Sequence, residues 1–313
     1  MKLLPSVLLL AATTAAANPR RFDRRRHHHG APLGSISPAP ADAFLPLEQD
    51  DPDAAGAGTS LFAINNRGAI VGNYANGAAV DGFIYQNGTW TDVSPPFATG
   101  GFSELLGIND AGTAIGDAAD ASGQEHVFTR SAAGVFTELP APVPGVVGHE
   151  LQSIDNAGEI VGAYSTVGSY FLDGTPCVGY VYSHGAYHPI DIPNAVCVIP
   201  YGLDDRGQIT GTWVDASGFN HGFLLDRATH QLRDLTVAGM DTNPWRINNA
   251  GEVVGDFVGA DDELHGFVLR GSSLEQVDYP GATDTVLLGL NDAGVIVGTF
   301  DGFTFGVIDV PLR

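Results

Sequence analysis

The residues best suited to acid–base chemistry in this sequence are His149, Glu150 and Arg246. A histidine next to a carboxylate could supply a general acid and a general base. An arginine fork could hold a carboxylate or a phosphate of a substrate. If the three side chains meet, they could support a polysaccharide lyase or hydrolase reaction. The alternatives are an incidental surface pair for His149 and Glu150, and an ion pair between Arg246 and a nearby Asp.

A second group of residues suits sugar binding. Aromatic rings stack on the C–H faces of sugars, and carboxylates accept hydrogen bonds from sugar hydroxyls. Tyr170 and Trp213 are aromatic residues that the sequence repeat described below does not constrain, and Asp173 and Asp215 lie close to them in the sequence. We expect these four residues, together with Arg246, to bind a ligand.

The sequence offers weak candidates for a metal site. The acidic run Asp261-Asp262-Glu263 could ligate Ca²⁺, which prefers oxygen ligands, or it could be a solvated loop. His126, His221 and His265 occupy one position of a repeat, so we expect them to make structural hydrogen bonds to neighbouring backbone groups rather than to converge on one ion. Phosphate-loop, nucleophile-elbow and zinc-protease motifs are absent from the sequence. We therefore predict no metal and no cofactor, with Ca²⁺ as the one alternative.

All of these candidates lie within or beside a unit that recurs along the chain. Its core is Ile or Leu, two Asn or Asp residues, any residue and Gly, followed by a short apolar run that ends in a second Gly, as in Val71-Gly72. The six copies begin at Ile64, Ile108, Ile154, Leu203, Ile247 and Leu290, at steps of 44, 46, 49, 44 and 43 residues.

Each copy contains four short apolar segments, which we name strands A to D. The Asn/Asp-x-Gly motif supplies the positive φ of a tight turn between strands A and B. Four strands in 40–50 residues are typical of a β-propeller blade. The sixth copy has no separate strand D, whereas Leu47-Glu48-Gln49 echoes Leu274-Glu275-Gln276 of the fifth copy. The sequence therefore predicts an all-β fold, a six-bladed β-propeller closed by an N-terminal strand at about residues 43–50.

The repeats resemble the HAF (His-Ala-Phe) family of bacterial extracellular repeat proteins. The triplet is His221-Gly222-Phe223 or His265-Gly266-Phe267 here, and the turn motif precedes it at a fixed offset. The third copy departs most, with Val178-Gly179-Tyr180 in place of the triplet. The resemblance covers roughly residues 44–310 and implies a secreted or surface-exposed protein. It implies no reaction.

Loop lengths predict which face of the propeller binds a partner. The A–B turns are short and uniform, whereas the B–C loops and the connectors from strand D to the next strand A vary in length. We call the end of the propeller that carries these variable loops the variable-loop face, and we expect function there. Cys177 and Cys197 both map to this face, and we predict a disulfide between them because the protein is expected to be exported.

The N-terminal composition indicates export. Residues 1–17 have one Lys, an apolar run and small residues, as in a signal peptide. Residues 18–42 read as a basic leader and a Pro/Ala-rich linker, and residues 43–313 as one propeller domain. We expect a secreted, periplasmic or cell-surface protein that does not insert into a membrane once the signal peptide is removed.

Charge excludes one class of partner. The formal net charge of the chain is −22, and from Gly30 onward 35 acidic residues face 8 arginines and no lysine. Such a surface lacks the basic face that nucleic acids require. The same excess of charge favours a soluble monomer.

Two functions follow as hypotheses. The first is a recognition module that binds an extracellular glycan or a surface protein through the variable-loop face. The second is a secreted polysaccharide lyase or hydrolase whose site lies at the mouth of the central channel. A structural surface protein without a small ligand is a third, weaker alternative.

Overall fold

The computed structural model describes residues 37–38, 44–45, 58–168, 175–237, 240–301 and 304–309. Every regular element in these ranges is a β-strand, so the predicted all-β class is confirmed. None of these ranges contains a helix that is long and apolar enough to cross a membrane. Residues 1–36, which include the predicted signal peptide and most of the predicted leader, lie outside the described residues.

The strands follow the repeats. Two short strands come first: β1 (Ser37–Pro38) and β2 (Phe44–Leu45). The first three units contain β3 (Thr59–Ile64), β4 (Ile70–Asn76), β5 (Ala79–Gln86), β6 (Thr89–Val93); β7 (Phe102–Ile108), β8 (Ala114–Ala119), β9 (Glu125–Arg130), β10 (Phe136–Glu138); and β11 (Gly148–Ile154), β12 (Ile160–Ser165), β13 (Val178–Ser183), β14 (Ala186–Pro189). The last three contain β15 (Cys197–Leu203), β16 (Gln208–Val214), β17 (Asn220–Asp226), β18 (Gln231–Asp234); β19 (Thr242–Ile247), β20 (Glu252–Val258), β21 (Leu264–Arg270), β22 (Ser273–Gln276); and β23 (Thr285–Leu290), β24 (Val295–Phe300), β25 (Thr304–Asp309).

Neighbouring strands within each unit pair antiparallel. The first two units are joined into one sheet by a single parallel bridge between Val80 and Phe102. In the sixth unit β2 pairs antiparallel with β25, at the place that strand D occupies in the other units. Phe44–Leu45 is the described part of the predicted strand, and the rest of residues 43–50 lie outside the described residues. Part of the predicted linker also differs from expectation, because β1 pairs parallel with β22.

The second glycine of each repeat is fixed by close packing of strands A and B. A Cβ on Gly72 would lie 1.8 Å from the carbonyl oxygen of Ser60, a distance that no side chain tolerates. The equivalent glycine of the second unit, Gly116, would clash in the same way with the carbonyl oxygen of Glu104 at 1.9 Å. Strand A carries a register shift just after these contacts, for example between Leu105 and Gly107. The Val-Gly part of the motif therefore reflects a tight strand pair rather than a ligand site.

The A–B turns are built by the Asn or Asp that ends strand A. Asn65 Oδ1 accepts hydrogen bonds from the backbone N–H groups of Arg67 and Ala69, which fixes the turn locally. Gly68 then takes a φ of 74°, a left-handed conformation that glycine adopts without strain.

The next residue of each turn belongs to a closed ring of hydrogen bonds, which we call the outer ring. Its members are Asn66, Asp110, Asn156, Asp205, Asn249 and Asp292. The backbone N–H of each member donates to the side-chain Oδ1 of the next, and Asp292 donates to Asn66 at 2.7 Å. Each Asn Nδ2 also donates to the Asp on either side, at 2.8–3.0 Å. The outer ring thus links all six units, including the first and the last.

The preceding residues, Asn65, Asn109, Asp155, Asp204, Asn248 and Asn291, form an inner ring that is incomplete. Each Asn Nδ2 donates to the backbone carbonyl of the next turn, as from Asn109 to Asp155 at 3.0 Å. A carboxylate cannot donate, so the two Asp positions lack this bond unless they carry a proton. Arg206 pairs with Asp204 at 2.8 Å. Burial raises the pKa of Asp155, which favours the protonated, donating form.

The variant Asp155→Asn should therefore be more stable than the wild type. The amide restores a permanent Nδ2 donor at a position where four of the six units already have Asn. One added hydrogen bond is worth about 1 kcal/mol, or roughly 2–4 °C in Tm for a domain of this size. Thermal unfolding at pH 7.5 measures the difference.

Asp204→Asn is the matched control. It should not stabilise the protein, because it removes the ion pair with Arg206. Equal effects of the two variants would contradict the incomplete ring as the cause.

Candidate functional site

Arg246 lies buried in the central channel. Its guanidinium donates four hydrogen bonds, at 2.8–3.0 Å, and all of them go to backbone carbonyls of strand A in four units: Leu106, Gln152, Tyr201 and Trp245. Within the described ranges no ion pair includes Arg246, so the expected Asp partner is not found. Burial lowers the pKa of Arg246 to about 10, which leaves it charged at neutral pH. The guanidinium joins units across the channel and does not present its fork to a ligand.

His149 and Glu150 are not assembled as an acid–base pair. They are consecutive in β11, so their side chains point to opposite faces of the sheet. His149 Nε2 lies 3.0 Å from the hydroxyl of Tyr180, which in turn donates to the carbonyl of Glu150. Burial lowers the pKa of His149 to about 4, so this ring is neutral at physiological pH. The Glu150 carboxylate accepts instead from Gln152 at 3.2 Å.

The structure contains a row of buried polar side chains that the sequence did not predict. Glu104 on β7 and Asp117 on β8 are opposite each other in the strand register, and their side chains are hydrogen-bonded. Asn73 of the first unit donates to Glu104 Oε2 at 2.8 Å. Glu150 has the same position in the third unit as Glu104 in the second and is the third carboxyl group of the row. Aligning the repeats would have revealed these residues, because the position of Glu104 is Ser60 in the first unit and Ile199 in the fourth.

These three carboxyl groups are deeply buried. Glu104, Asp117 and Glu150 are 0%, 4% and 3% exposed. Burial raises the pKa of Glu104 to about 8 and raises the pKa of Asp117 and of Glu150 well above the usual range; repulsion between the carboxylates adds to the effect on Asp117 and Glu150. No described ion pair involves any of the three. The Glu104 carboxyl group therefore retains its proton at neutral pH.

Trp213 and Asp215 come together on the variable-loop face. The Trp213 ring stacks on His221 with centroids 4.0 Å apart and planes at 11°. Asp215 Oδ1 accepts from the backbone N–H groups of Ser217 and Phe219, and Asp215 Oδ2 lies 3.2 Å from His221 Nε2. Burial raises the pKa of Asp215, but these hydrogen bonds outweigh it and hold the pKa at about 2. Tyr170 and Asp173, the other predicted ligand residues, lie outside the described residues.

The repeat histidines act as structural clamps, as expected. Their partners, however, are carboxylates rather than backbone groups. His265 bonds Asp278 and Asp261, and His126 bonds Glu138 and lies 3.5 Å from Asp120. Each histidine thus ties a B–C loop to its own blade. Burial lowers the pKa of His265, but the two Asp partners outweigh burial and the net shift is upward.

One cluster in the described ranges brings three potential metal-ligand atoms within 4.8 Å of one another: Asp261, Glu263 and His265. It overlaps the acidic run for which Ca²⁺ was considered. Asp261 is exposed and His265 is already bonded to it, so the cluster is a hydrogen-bonded acidic loop.

The disulfide between Cys177 and Cys197 is present. Both cysteines are buried, and Cys197 opens β15. The bridge therefore joins the B–C loop of the third unit to strand A of the fourth, rather than closing a loop within one unit.

A pocket opens where the six A–B turns converge, on the face opposite the variable loops. Its wall is formed by the inner and outer rings, and Arg246 contributes to its lining. The ring side chains already satisfy one another, so this mouth offers few free polar groups to a ligand.

Comparison with known proteins supports the fold. No family model matches the chain, and no curated protein matches it. Among solved structures, the Aleuria aurantia lectin in complex with Fucα1-6GlcNAc aligns with a TM-score of 0.51 at 9% identity, over 84% of this chain and 99% of that one. TolB from Acinetobacter baumannii aligns with a TM-score of 0.47 at 11% identity, over 80% of this chain and 54% of that one. The β-propeller domain of the Trilobed protease from Pyrococcus furiosus aligns with a TM-score of 0.47 at 10% identity, over 80% of this chain and 92% of that one. The similarity to the lectin shows a β-propeller fold. The chain covers about half the length of TolB.

The buried carboxyl row should make the protein less stable as the pH rises. The folded state holds a proton on Glu104 up to about pH 8, whereas the unfolded chain releases it near 4.5. The stability that this bound proton gives the folded state is therefore fully present below about pH 4.5 and is lost as the pH rises to about 8. Denaturant unfolding at pH 5 and pH 8, with a chelator present, measures it.

In the double variant Glu104→Gln/Asp117→Asn, the difference in the free energy of unfolding between pH 5 and pH 8 should be smaller by about 1 kcal/mol or more. The pKa values of Asp256 and His265 are also raised, but both residues are unchanged in the variant. A difference in pH dependence between the two proteins therefore comes from the row. An identical pH slope in both proteins would show that the row does not titrate in this range.

Proposed function

We propose that the six units form one closed, six-bladed propeller of the HAF-like type. The outer ring of hydrogen bonds and the pairing of β2 with β25 support closure between the first and last units. The disulfide supports export, because such bonds persist in oxidising compartments. We further propose a secreted, periplasmic or surface-exposed monomer, in keeping with its large negative charge.

We propose that the protein is a recognition module that binds an extracellular glycan through the variable-loop face. The observation that carries this proposal is the Trp213–His221–Asp215 group. The half-buried indole is held by the stacked imidazole, and the carboxylate is fixed by its loop. A rigid aromatic edge beside an ionised carboxylate suits a sugar, which offers C–H faces and hydroxyl groups. A surface protein is the alternative ligand.

The lyase or hydrolase alternative has less support. Arg246 is committed to backbone carbonyls, and His149 and Glu150 have separate partners. The propeller fold does not decide between binding and catalysis, since one fold serves many functions. The lectin neighbour suggests only which sugars to test first, namely fucosylated ones.

A glycan array with the purified chain tests the proposal. We expect binding to a defined set of glycans and no release of new reducing ends from them. Trp213→Ala should weaken that binding at least tenfold, because stacked aromatic residues are frequent hot spots.

Trp90→Ala is the matched control. Trp90 is also half-buried but lies on β6 of the first unit, where it packs on Phe83 and Tyr85. It should leave glycan binding unchanged. Equal losses in both variants, or an array without any binder, would count against recognition at Trp213, and new reducing ends would favour the enzyme.

A further inference from the structure

The variable-loop face carries a second stacked pair of aromatic rings, at the junction of the fifth and sixth units. The rings of Tyr279 and Phe300 lie with their centroids 3.7 Å apart and their planes at 3°. Both residues are half-buried, so neither is packed fully into the core. The face therefore has a rigid aromatic surface outside the Trp213 group.

Phe300 occupies in the sixth unit the position that Trp213 occupies in the fourth. Each of the two residues follows a Gly-Thr pair near the end of strand B, Gly211-Thr212 and Gly298-Thr299. The fifth unit also has an aromatic residue at this position, Phe257, but it is only 2% exposed. The sixth unit therefore repeats the half-buried ring of the fourth unit and not the buried ring of the fifth.

Tyr279 departs from the repeat. The equivalent connector residues of the third and fourth units are Ile192 and Val237, which are only 4% and 1% exposed. Tyr279 is larger and half-buried, and its backbone N–H donates a hydrogen bond to Thr285 Oγ1 at 2.9 Å. A residue that is specific to this junction thus holds its ring against Phe300.

Two carboxylates lie beside the aromatic pair. Asp301 directly follows Phe300, and its Oδ1 accepts hydrogen bonds from the backbone N–H groups of Thr283 and Asp284 at 2.7 and 3.2 Å. Asp284 Oδ1 accepts from the backbone N–H of Leu264 at 2.8 Å. These bonds fix both carboxylates and involve neither Oδ2 atom. An aromatic surface beside fixed carboxylates is also the combination that carries the proposed glycan site of the fourth unit.

The charge of the variable-loop face excludes acidic sugars. Apart from Arg246 in the channel, the arginines of the described ranges lie at or beside the A–B and C–D turns, on the opposite face: Arg67, Arg130, Arg206, Arg227, Arg233 and Arg270. These ranges contain no lysine. A sugar with its own carboxylate would therefore meet Asp284 and Asp301 without a cation to pair with, and like charges repel.

We propose that Tyr279 and Phe300, with Asp284 and Asp301, form a second glycan subsite, which takes a sugar without an acidic group. The aromatic surface stacks on the C–H face of the sugar, and the carboxylates accept hydrogen bonds from its hydroxyls. The subsite rests on the proposed glycan-binding function and deepens it. With two subsites on one face, the chain holds two short glycans or two points of one polysaccharide.

Glycan binding by the full chain, in solution and on an array, tests the second subsite. The neutral glycan that binds most strongly on the array is titrated into the protein as a free oligosaccharide by calorimetry. We expect two glycans per wild-type chain, and one per chain in Tyr279→Leu and in Trp213→Ala. On the array, where glycans are densely attached, the loss of either subsite should weaken the apparent affinity at least tenfold. Glycans that carry uronic or sialic acid should not bind.

Two further variants are the controls. Tyr279→Phe keeps the aromatic ring and should keep both glycans. Tyr182 is also half-buried and packs on another tyrosine, Tyr187, with ring centroids 4.7 Å apart, but it lies beside the C–D turn of the third unit. Tyr182→Leu should leave glycan binding unchanged. A loss in Tyr279→Leu alone therefore reports the subsite and not the general effect of removing a packed tyrosine.

Three results would overturn the second subsite, and they separate its failure from that of the proposed function. One glycan per wild-type chain, lost in Trp213→Ala and kept in Tyr279→Leu, would leave the proposed function standing and remove the second subsite. An array without any binder would remove both. Acidic glycans that bind the wild type but not Tyr279→Leu would contradict the stated class of sugar.

Discussion

The structure depends on a ring of hydrogen bonds at the A–B turns. An Asn side chain can both donate and accept, whereas an ionised Asp can only accept. The outer ring alternates the two types, so every Asp receives amide N–H bonds from both neighbours. Strict alternation closes without a mismatch only when the number of members is even. The pair of Asn66 and Asp292, which joins the first unit to the last, obeys the same rule and supports the proposed closure.

The interior of the ring is asymmetric, although the backbone repeats. The strand A and B side chains of the second and third units place Glu104, Asp117 and Glu150 inside, whereas Ile199, Tyr201, Trp245 and Val286 of later units form an apolar cluster. The buried Asp256 accepts a hydrogen bond from Trp245 of that cluster. Arg246 bridges the two halves through backbone carbonyls. We therefore expect function at positions that depart from the repeat, because the residues at the repeated positions form turns, hold loops in place or pack in the core.

The sequence predicts the repeat-determined features well. Turn chemistry and strand alternation depend on local residues, so the all-β class, the four-stranded units and the structural role of the repeat histidines could be inferred. The disulfide was predicted from the expected export and from the loop positions of the two cysteines. The partners of Arg246 could not be inferred, because they are backbone carbonyls contributed by four different units. The carboxyl row was missed for a similar reason: Glu104 and Asp117 meet only through strand register, and their burial depends on the packing of neighbouring units.

Closure of the ring is tested most directly by comparing Asn66→Asp with Asn156→Asp. Each variant removes the two hydrogen bonds that one Nδ2 group donates and places a third carboxylate between two others. Asn66 spans the junction of the first and last units, whereas Asn156 lies between consecutive units. Closure predicts equal losses in the free energy of unfolding, of about 1–3 kcal/mol, in a single cooperative transition. A loss for Asn66→Asp of only half that for Asn156→Asp would show that the junction is open and would contradict the account.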